Sequence, residues 1–215
     1  MMKIRQIFWD WNGTLLDDLW YAIGVRNRTF PLFGLPVIEN LEEYFSQFTF
    51  PVREYYYRAG VTEENFNEVA HAWMNEYVRG QESIPLHSDA LETIASLRKG
   101  GLSQVVLSAS QIEILKGQLA LYGLENTFDD VLGHDNIYAD SKEMIGVRYM
   151  QKTGLTPEEC MMIGDTLHDA DVARGMGIRC ILVARGHQSR ETLETAGVPV
   201  LGSLLEAAEL ILKTE

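Results

Sequence analysis

The sequence is short of several features that mark particular classes of protein. It has only two cysteines in 215 residues, Cys160 and Cys180, each in an apolar run and without the CxxC or Cys/His spacing of a zinc site. No segment approaches the roughly 20 apolar residues of a membrane span, and the first residues contain no apolar stretch of signal-peptide length. We therefore expect two buried, reduced thiols, no membrane partner and a cytoplasmic location.

Basic residues are also scarce. The 18 Lys and Arg face 31 Asp and Glu, which gives a formal net charge of -13. The nearest basic pairs, Arg26/Arg28 and Arg98/Lys99, stand apart, so the average field repels a phosphate backbone and we expect no nucleic-acid partner. Because 46% of the residues are hydrophobic, the chain can bury a full core, as one large domain or a core with a modest insert.

Short apolar runs alternate with longer amphipathic ones, which is typical of an α/β protein with a parallel sheet. Runs such as QVVLS and CILVA favour strands that are covered on both faces. Thr156-Pro157-Glu158-Glu159 predicts a capped helix start, and Gly100-Gly101 a helix end. The predicted strands are 4–9, 104–108, 130–132, 160–164, 180–184 and 199–201.

One region breaks this alternation. Between residues 19 and 84 we find no convincing strand, and the stretch 62–79 places its apolar residues on one helical face. The pattern indicates a helical insert between the first strand and the rest of the core.

Acidic residues follow two of the predicted strands. The first strand runs directly into Asp10, and Gly13 permits a tight turn after it. Another strand leads into Asp165, and Asp169 four residues later would lie in the first turn of the next helix. Ligands of open parallel sheets bind at the carboxyl ends of strands, and Mg²⁺ is commonly held by one or two carboxylates with phosphate and water. The alternatives are a turn-forming Asp-x-Asn-Gly and a helix-capping Asp169.

Two further residues complete the pattern. Ser108 ends a strand just before a helix that starts near Gln111, so it could bind phosphate together with free backbone amides. Ser110 could equally be a plain helix cap. Lys142 lies near a helix start, which is unfavourable for the helix dipole and suggests pairing with phosphate and carboxylates. A solvated surface lysine is the alternative, but the joint pattern is far more specific than its parts.

This arrangement resembles the haloacid dehalogenase superfamily, in particular its phosphoglycolate-phosphatase-like branch with a helical cap. DWNGTLLDD is similar to the nucleophile motif, LSAS to the hydroxyl motif, Lys142 to the basic motif and GDTLHDADVARGMGI to the second acidic motif. The resemblance covers nearly the whole chain. It implies a Rossmann-like, doubly wound parallel sheet core from residues 1–17 and 86–215, with an inserted helical-bundle cap at 18–85.

The resemblance also implies roles for individual residues. Asp10 would be the nucleophile that attacks a small phosphorylated metabolite and forms an aspartyl-phosphate. Ser108 and Lys142 would hold the phosphoryl group, and the backbone of Trp11 and Ala109 would add donors. The implied ligands of a Mg²⁺ cofactor are Asp10, the backbone carbonyl of Asn12 and Asp165, with Asp169 supporting through water or hydrogen bonds.

One departure from the family pattern leaves three hypotheses open. The usual acid/base aspartate is replaced by Asn12, whose amide cannot exchange a proton with the leaving group or water. An active phosphatase would obtain this step elsewhere, from His168 or a cap residue, or would use acyl phosphates or anhydrides, which need little protonation. A weak or inactive relative would bind phosphometabolites as a sensor or partner. Chemistry at carbon, such as dehalogenation, would leave Asp165 and Asp169 unexplained.

Substrate choice is expected to lie in the insert. Arg53 follows Phe50-Pro51-Val52, where similar caps present a basic residue to the substrate, and its planar fork suits a carboxylate or a second phosphate. A surface arginine beside Glu54 is the alternative. His134 is a weaker candidate for reaching the site. The sequence leaves open the individual substrate and whether the protein is a monomer or a homodimer.

Overall fold

A computed structural model of the chain describes residues 3–134 and 141–213. The chain forms two compact units. The larger consists of Met1–Leu16 and Leu86–Glu215, and the smaller of Asp17–Pro85. None of the helices in the described ranges has both the length and the apolar character that a membrane span requires.

The larger unit contains a six-stranded, wholly parallel sheet in the order β3-β2-β1-β4-β5-β6, with helices between the strands. The predicted α/β class with a doubly wound parallel sheet is confirmed. Its strands are β1 (Gln6–Trp9), β2 (Ser103–Gln111), β3 (Asp130–His134), β4 (Cys160–Gly164), β5 (Arg179–Val183) and β6 (Val200–Leu201). Its helices are α5 (Ala90–Lys99), α6 (Ile112–Leu121), α7 (Lys142–Thr153), α8 (Leu167–Met176), α9 (Arg190–Glu194) and α10 (Leu204–Lys213).

Strand β1 lies at the centre of the sheet, and all four of its residues are buried. Trp9 pairs with Val106 of β2 on one side and with Ile163 of β4 on the other. Because these registers are level, the residues that follow each pairing lie near the same edge of the sheet. The prediction that Ser108 ends its strand was wrong, since β2 continues to Gln111 and still pairs with β3 there. Asp10 is one residue beyond its pairing, and Ser108 and Asp165 are two residues beyond theirs.

The two sheet faces are covered by different helices. Alternate strand residues such as Phe8, Leu107 and Met162 pack with Met150 of α7 and Met176 of α8 in one apolar cluster. The opposite face meets α5, where the buried Gln104 accepts a hydrogen bond from the Trp9 indole (2.8 Å) and donates to the Ile94 carbonyl (2.9 Å). Strands that are covered on both faces explain the near-continuous apolar runs of the sequence.

The smaller unit is helical and contains no strand, as predicted; residues 17–85 are all described. Its core is rich in aromatic side chains that contact one another edge to face or at a tilt, among them Phe30, Tyr44, Tyr55 and Tyr56. Its α-helices are α1 (Leu19–Thr29), α2 (Leu41–Gln47), α3 (Val52–Arg58) and α4 (Phe66–Arg79).

Two predicted helix starts were wrong. Helix α4 begins at Phe66 rather than at residue 62, because the Asn65 side chain accepts a hydrogen bond from the Thr62 amide (2.8 Å) and closes a turn there. The capping box at Thr156 is present, but it starts only a short 3₁₀ turn, Pro157–Glu159. Strand β4 begins at the next residue and leaves no room for an α-helix.

Candidate active site

Asp10 leaves the sheet directly after β1, where its amide still donates to the Ile163 carbonyl (2.9 Å). Thr14 lies 3.1 Å from a carboxylate oxygen of Asp10 and 3.1 Å from one of Asp165, so its single hydroxyl proton can serve only one of them at a time. The chain then turns at Gly13 with φ +76°, and a Cβ there would lie 2.3 Å from Asp165 Oδ2. Only glycine fits this turn.

Asp165 follows β4, and Asp169 lies in the first turn of α8, as predicted. Asp169 caps the helix through Oδ2, which accepts from the Thr166 amide (3.1 Å) and hydroxyl (2.6 Å). Its other oxygen, Oδ1, faces Lys142. The capping interpretation of Asp169 is therefore confirmed, while its other oxygen contacts Lys142 and its role in a site stays a prediction.

Lys142 is the first residue of α7 and is only 3% exposed. Its Nζ lies 2.5 Å from Asp10 Oδ1 and 2.6 Å from Asp169 Oδ1. The alternative of a solvated surface lysine is thus excluded. Ser141 supplies the helix cap, which holds the start of α7 despite the unfavourably placed cation.

The buried charges shift one another's titration. Burial, followed by the charge of Asp169, raises the pKa of Asp10 to about 6. Burial also raises the pKa of Asp165 to about 8. Burial opposes ionisation of Asp169 and of Lys142, yet their ion pair outweighs it, so the pKa of Asp169 is lowered and that of Lys142 is raised. Lys142 is therefore a fixed cation at neutral pH.

This cluster can accept a divalent cation. Oxygens of Asp10, Asp165 and Asp169 all lie within 4.8 Å of one another, and all three residues are buried. With the three carboxylates ionised and Lys142 positive, the group carries two uncompensated negative charges. A hard cation that prefers carboxylate oxygen, such as Mg²⁺, fits both this donor set and this charge.

The remaining site residues predicted for the larger unit lie in β2 and in the turn that follows β1. Ser108 is buried, whereas Ala109 is exposed. Trp11 is fully buried, its indole donates to Gln118 (2.9 Å), and its carbonyl accepts hydrogen bonds from the amides of residues 14 to 16. Asn12 is partly buried, and its Oδ1 accepts a hydrogen bond from the Ser110 hydroxyl (3.2 Å).

Arg53 lies in α3 of the smaller unit. Its guanidinium pairs with Glu63 (2.7 Å) rather than with the adjacent Glu54, and it stacks over the Phe66 ring at 4.5 Å. About half of the side chain is exposed. The proposed substrate contact of this residue stays a prediction.

Of the histidines near the site, His168 and His134 were named as candidates from the sequence, and two others were not. Burial, followed by the Lys142 charge, lowers the pKa of His168 on α8, and His134 ends β3. Sequence reasoning missed His187 and His87. The His187 amide donates to Asp165 Oδ2 (2.6 Å), and the His87 ring lies 3.1 Å from the Gly13 carbonyl. Both contacts depend on long-range folding, and no local pattern signals them.

The parallel sheet, with a lysine held between carboxylates at its carboxyl edge, defines an α/β protein with a buried charged site. Comparison with known proteins extends this conclusion. Residues 7–183 match the family model described as haloacid dehalogenase-like hydrolase, and the chain belongs to that family. The family shown is one of hydrolases.

Relatives share most of their length with this chain. A phosphoglycolate phosphatase of Synechococcus elongatus is 25% identical over 198 residues, which span 90% of each protein. A pyrophosphatase PpaX of Bacillus velezensis is 22% identical over 207 residues, covering 89% of this chain and 88% of the relative. The solved structure of a hydrolase of the haloacid dehalogenase-like family from Streptococcus pneumoniae has the same fold, with a TM-score of 0.86 and 19% identity. The match covers 98% of this chain and 99% of the other.

Proposed function

We propose that the chain is a Mg²⁺-dependent phosphatase that hydrolyses a small phosphorylated metabolite through an aspartyl-phosphate on Asp10. One observation carries the proposal: Lys142 Nζ lies within 2.6 Å of both Asp10 and Asp169, with Asp165 beside them. Phosphoryl transfer is mostly positioning and neutralisation of charge, and this cluster supplies a carboxylate, a fixed cation and a cation site. The proposal also treats residues 18–85 as the cap.

The reaction follows from the placement of these groups. An oxygen of the Asp10 carboxylate attacks phosphorus, and the bond from phosphorus to the leaving oxygen breaks. Water then attacks the aspartyl-phosphate, which releases phosphate and restores the carboxylate. Lys142 neutralises charge on the transferring group, and Ser108 with the backbone amides of Trp11 and Ala109 donates hydrogen bonds to it.

Asp10, Asp165 and the backbone carbonyl of Asn12 would hold Mg²⁺, with Asp169 in support. A bound cation would supply charge neutralisation for the phosphoryl oxygens. Asp169 already gives one oxygen to the start of α8 and the other to Lys142, which suits a supporting role better than a direct ligand. Burial raises the pKa of Asp165 although the charge of His187 opposes it, and a bound cation would favour the ionised form of this carboxylate.

The substrate class follows from Asn12. General acid–base help is typically worth about 10²–10⁴ in rate, and an amide cannot provide it. We therefore propose a substrate whose leaving group departs without a proton, such as an acyl phosphate or a phosphate anhydride. The relative named pyrophosphatase PpaX supports the anhydride class. The proposal includes a cytoplasmic location, which the two buried free thiols support.

A second function, binding of phosphometabolites without turnover, is favoured by the same substitution. It predicts that the protein binds phosphate analogues but hydrolyses nothing. The two functions differ in a single assay, because only the enzyme releases inorganic phosphate from a substrate.

The test compares leaving groups in the wild type and in Asn12→Asp. We expect magnesium-dependent turnover of acetyl phosphate, and a marked preference for it over alkyl phosphates, whose alkoxide leaving groups need a proton. Asn12→Asp should raise alkyl phosphate turnover by about 10²-fold, because it restores a proton donor, and so reduce the preference. Asp171→Asn, an exposed acid on α8, is the matched control. An unchanged preference in Asn12→Asp would refute the leaving-group argument.

A further inference from the structure

A short segment that follows β5, residues 185–188, packs directly on the Asp165 carboxylate. The His187 amide donates to Asp165 Oδ2 (2.6 Å). A Cβ added to Gly186 would lie 2.0 Å from the same oxygen, so only glycine lets the backbone come this close. Gly186, His187 and Gln188 are all buried. The segment therefore covers one of the two oxygens of this carboxylate.

The contacts at the two Asp165 oxygens fix the orientation of the carboxylate. Oδ2 accepts from the His187 amide, whereas Oδ1 lies 3.1 Å from the Thr14 hydroxyl, which is also 3.1 Å from Asp10 Oδ2. Because Asp165 is fully buried, rotation of the carboxylate would break the hydrogen bond from His187 where no water replaces it, which is costly. The position of residues 185–188 therefore determines which oxygen lies next to Asp10.

Two side chains anchor this segment to other elements of the larger unit. The Arg185 guanidinium pairs with Asp89 Oδ1 at 2.7 Å, and most of each side chain is buried. Asp89 is held in turn, because its Oδ2 accepts from the Leu204 amide (3.0 Å) at the start of α10. At the other end of the segment, Gln188 Oε1 accepts from the Leu167 amide (2.6 Å) at the start of α8. The segment is thus held between the starts of two helices.

We propose that Arg185 and Asp89 are positioning residues whose ion pair holds residues 185–188 against Asp165 and so raises the affinity of the site for Mg²⁺. This inference rests on the proposed function. The ion pair acts on the carboxylate through the His187 amide. Groups that orient a metal ligand from behind typically contribute about 10–100-fold to metal affinity. Removal of either partner leaves the other charge largely buried and unpaired, which favours movement of the segment toward water.

A merely structural role of the ion pair makes a different prediction. If the pair only stabilises the fold, its loss lowers the free energy of unfolding in EDTA and leaves the Mg²⁺ dissociation constant unchanged. If the pair positions Asp165, its loss weakens Mg²⁺ binding in protein that is still folded. The affinity for the cation therefore separates the two roles, whereas stability alone does not.

The experiment titrates Mg²⁺ alone into the metal-free protein and measures Kd by calorimetry, with folding checked by circular dichroism. Arg185→Met and Asp89→Asn should each raise Kd by about 10-fold, and Arg185→Lys, which keeps the charge, should restore most of the loss. The double variant should bind no more weakly than either single variant, because both changes remove the same ion pair. Arg174→Met, which removes an exposed ion pair with Asp171, should match the wild type.

A pair of glycine variants tests the contact with Asp165 itself. Gly186→Ala should raise Kd by at least about 10-fold, because the added Cβ would displace Asp165 Oδ2. Gly117→Ala in α6 is the matched control, since a Cβ there meets no atom of the described residues within 4 Å. Should Arg185→Met not fold, Asp89→Asn and Gly186→Ala decide the question.

The possible failures can be told apart. Unchanged Mg²⁺ affinity in folded Arg185→Met and Asp89→Asn, beside a wild type that binds Mg²⁺, would overturn this inference and leave the proposed function standing. A wild type that binds no Mg²⁺ would refute the proposed cation site and the inference with it.

Discussion

The two units contain buried charge under very different conditions. In the larger unit, Lys142 lies among three buried carboxylates, and the group keeps an excess of negative charge. In the smaller unit, Arg26 is fully buried and forms no ion pair with any described residue. Its guanidinium donates to the Tyr55 hydroxyl (2.8 Å) and to Gln47 (2.7 Å), and it lies 4.9 Å from the Phe30 ring centre.

This difference separates a site from a structural contact. Neutral acceptors and aromatic faces stabilise the Arg26 cation, whose buried Nε makes no hydrogen bond in the described residues. The carboxylate cluster, by contrast, has its charge only partly neutralised by Lys142, which leaves a place for a cation and for the charge of a phosphoryl group. Burial of charge alone therefore does not indicate function. What indicates function is the net negative charge that Lys142 leaves unneutralised in the carboxylate cluster.

The largest predicted effects come from two single variants, each of which removes one of the two buried cations. Lys142→Met should reduce kcat/KM by roughly 10³-fold or more and destabilise the metal-free protein by about 3–5 kcal/mol, because it leaves buried carboxylates unpaired. Arg26→Met should cost about 1–3 kcal/mol through its unpaired neutral partners and leave kcat/KM within 3-fold. Denaturant unfolding and steady-state kinetics measure both. A catalytic loss in Arg26→Met as large as that in Lys142→Met would contradict the comparison.

A smaller effect concerns pH. Since burial raises the pKa of Asp165 to about 8, the folded metal-free protein binds more protons than the unfolded chain between the ordinary carboxyl pKa and about pH 8. The free energy of unfolding must therefore fall as pH rises through the upper part of this window. From pH 6.5 to 8.5 we expect a loss of about 2 kcal/mol in EDTA. The lowered pKa of His168 acts in the opposite direction, but only below its ordinary value of 6.5.

Denaturant unfolding at several pH values tests this expectation. Mg²⁺ should stabilise the protein more at pH 8.5 than at pH 6.5, because protonated Asp165 competes with the cation. Asp165→Asn should flatten the slope in EDTA and remove most of the magnesium effect. A slope that persists in this variant would assign the titration to another group.

The smallest expected effect lies in the smaller unit. Arg53→Ala should raise KM by about 10-fold for substrates that carry a carboxylate or second phosphate beyond the reacting group, with kcat nearly constant. Arg79→Ala, an exposed arginine of the same unit that pairs with Glu76, is the control. Unchanged KM for all such substrates would remove Arg53 from the proposed site and leave it a surface residue paired with Glu63.

The sequence predicts the centre of the larger unit well for a physical reason. Parallel strands that are covered on both faces must be apolar, so an acid directly after such a run, as at Asp10 or Asp165, stands out and marks a strand end. Level registers then bring these acids together at one edge. Lys142 was predictable because it lies at a helix start where a cation is unfavourable unless it has a partner.

Other features depend on contacts between distant segments and have no local signature. The approach of His187 to Asp165 arises only when β4 and β5 lie side by side. The fit of Gly13 against the same carboxylate requires β1 and β4 to be neighbours. The burial of Arg26 among aromatic rings is likewise invisible in a sequence where it looks like part of a basic pair. At Thr156 the local signal was correct, because the capping box forms. The prediction of a helix still failed there, because β4 begins after a single 3₁₀ turn.

The central claim is that Asp10 receives the phosphoryl group, and trapping this intermediate tests it most directly. The protein is mixed with radiolabelled acetyl phosphate and Mg²⁺, quenched rapidly in acid and digested, and the labelled peptide is located by mass spectrometry. We predict label on the peptide that contains Asp10, its absence in Asp10→Asn and its loss when Mg²⁺ is removed. Steady turnover with the label on another residue, or equal labelling of Asp10→Asn, would contradict the account.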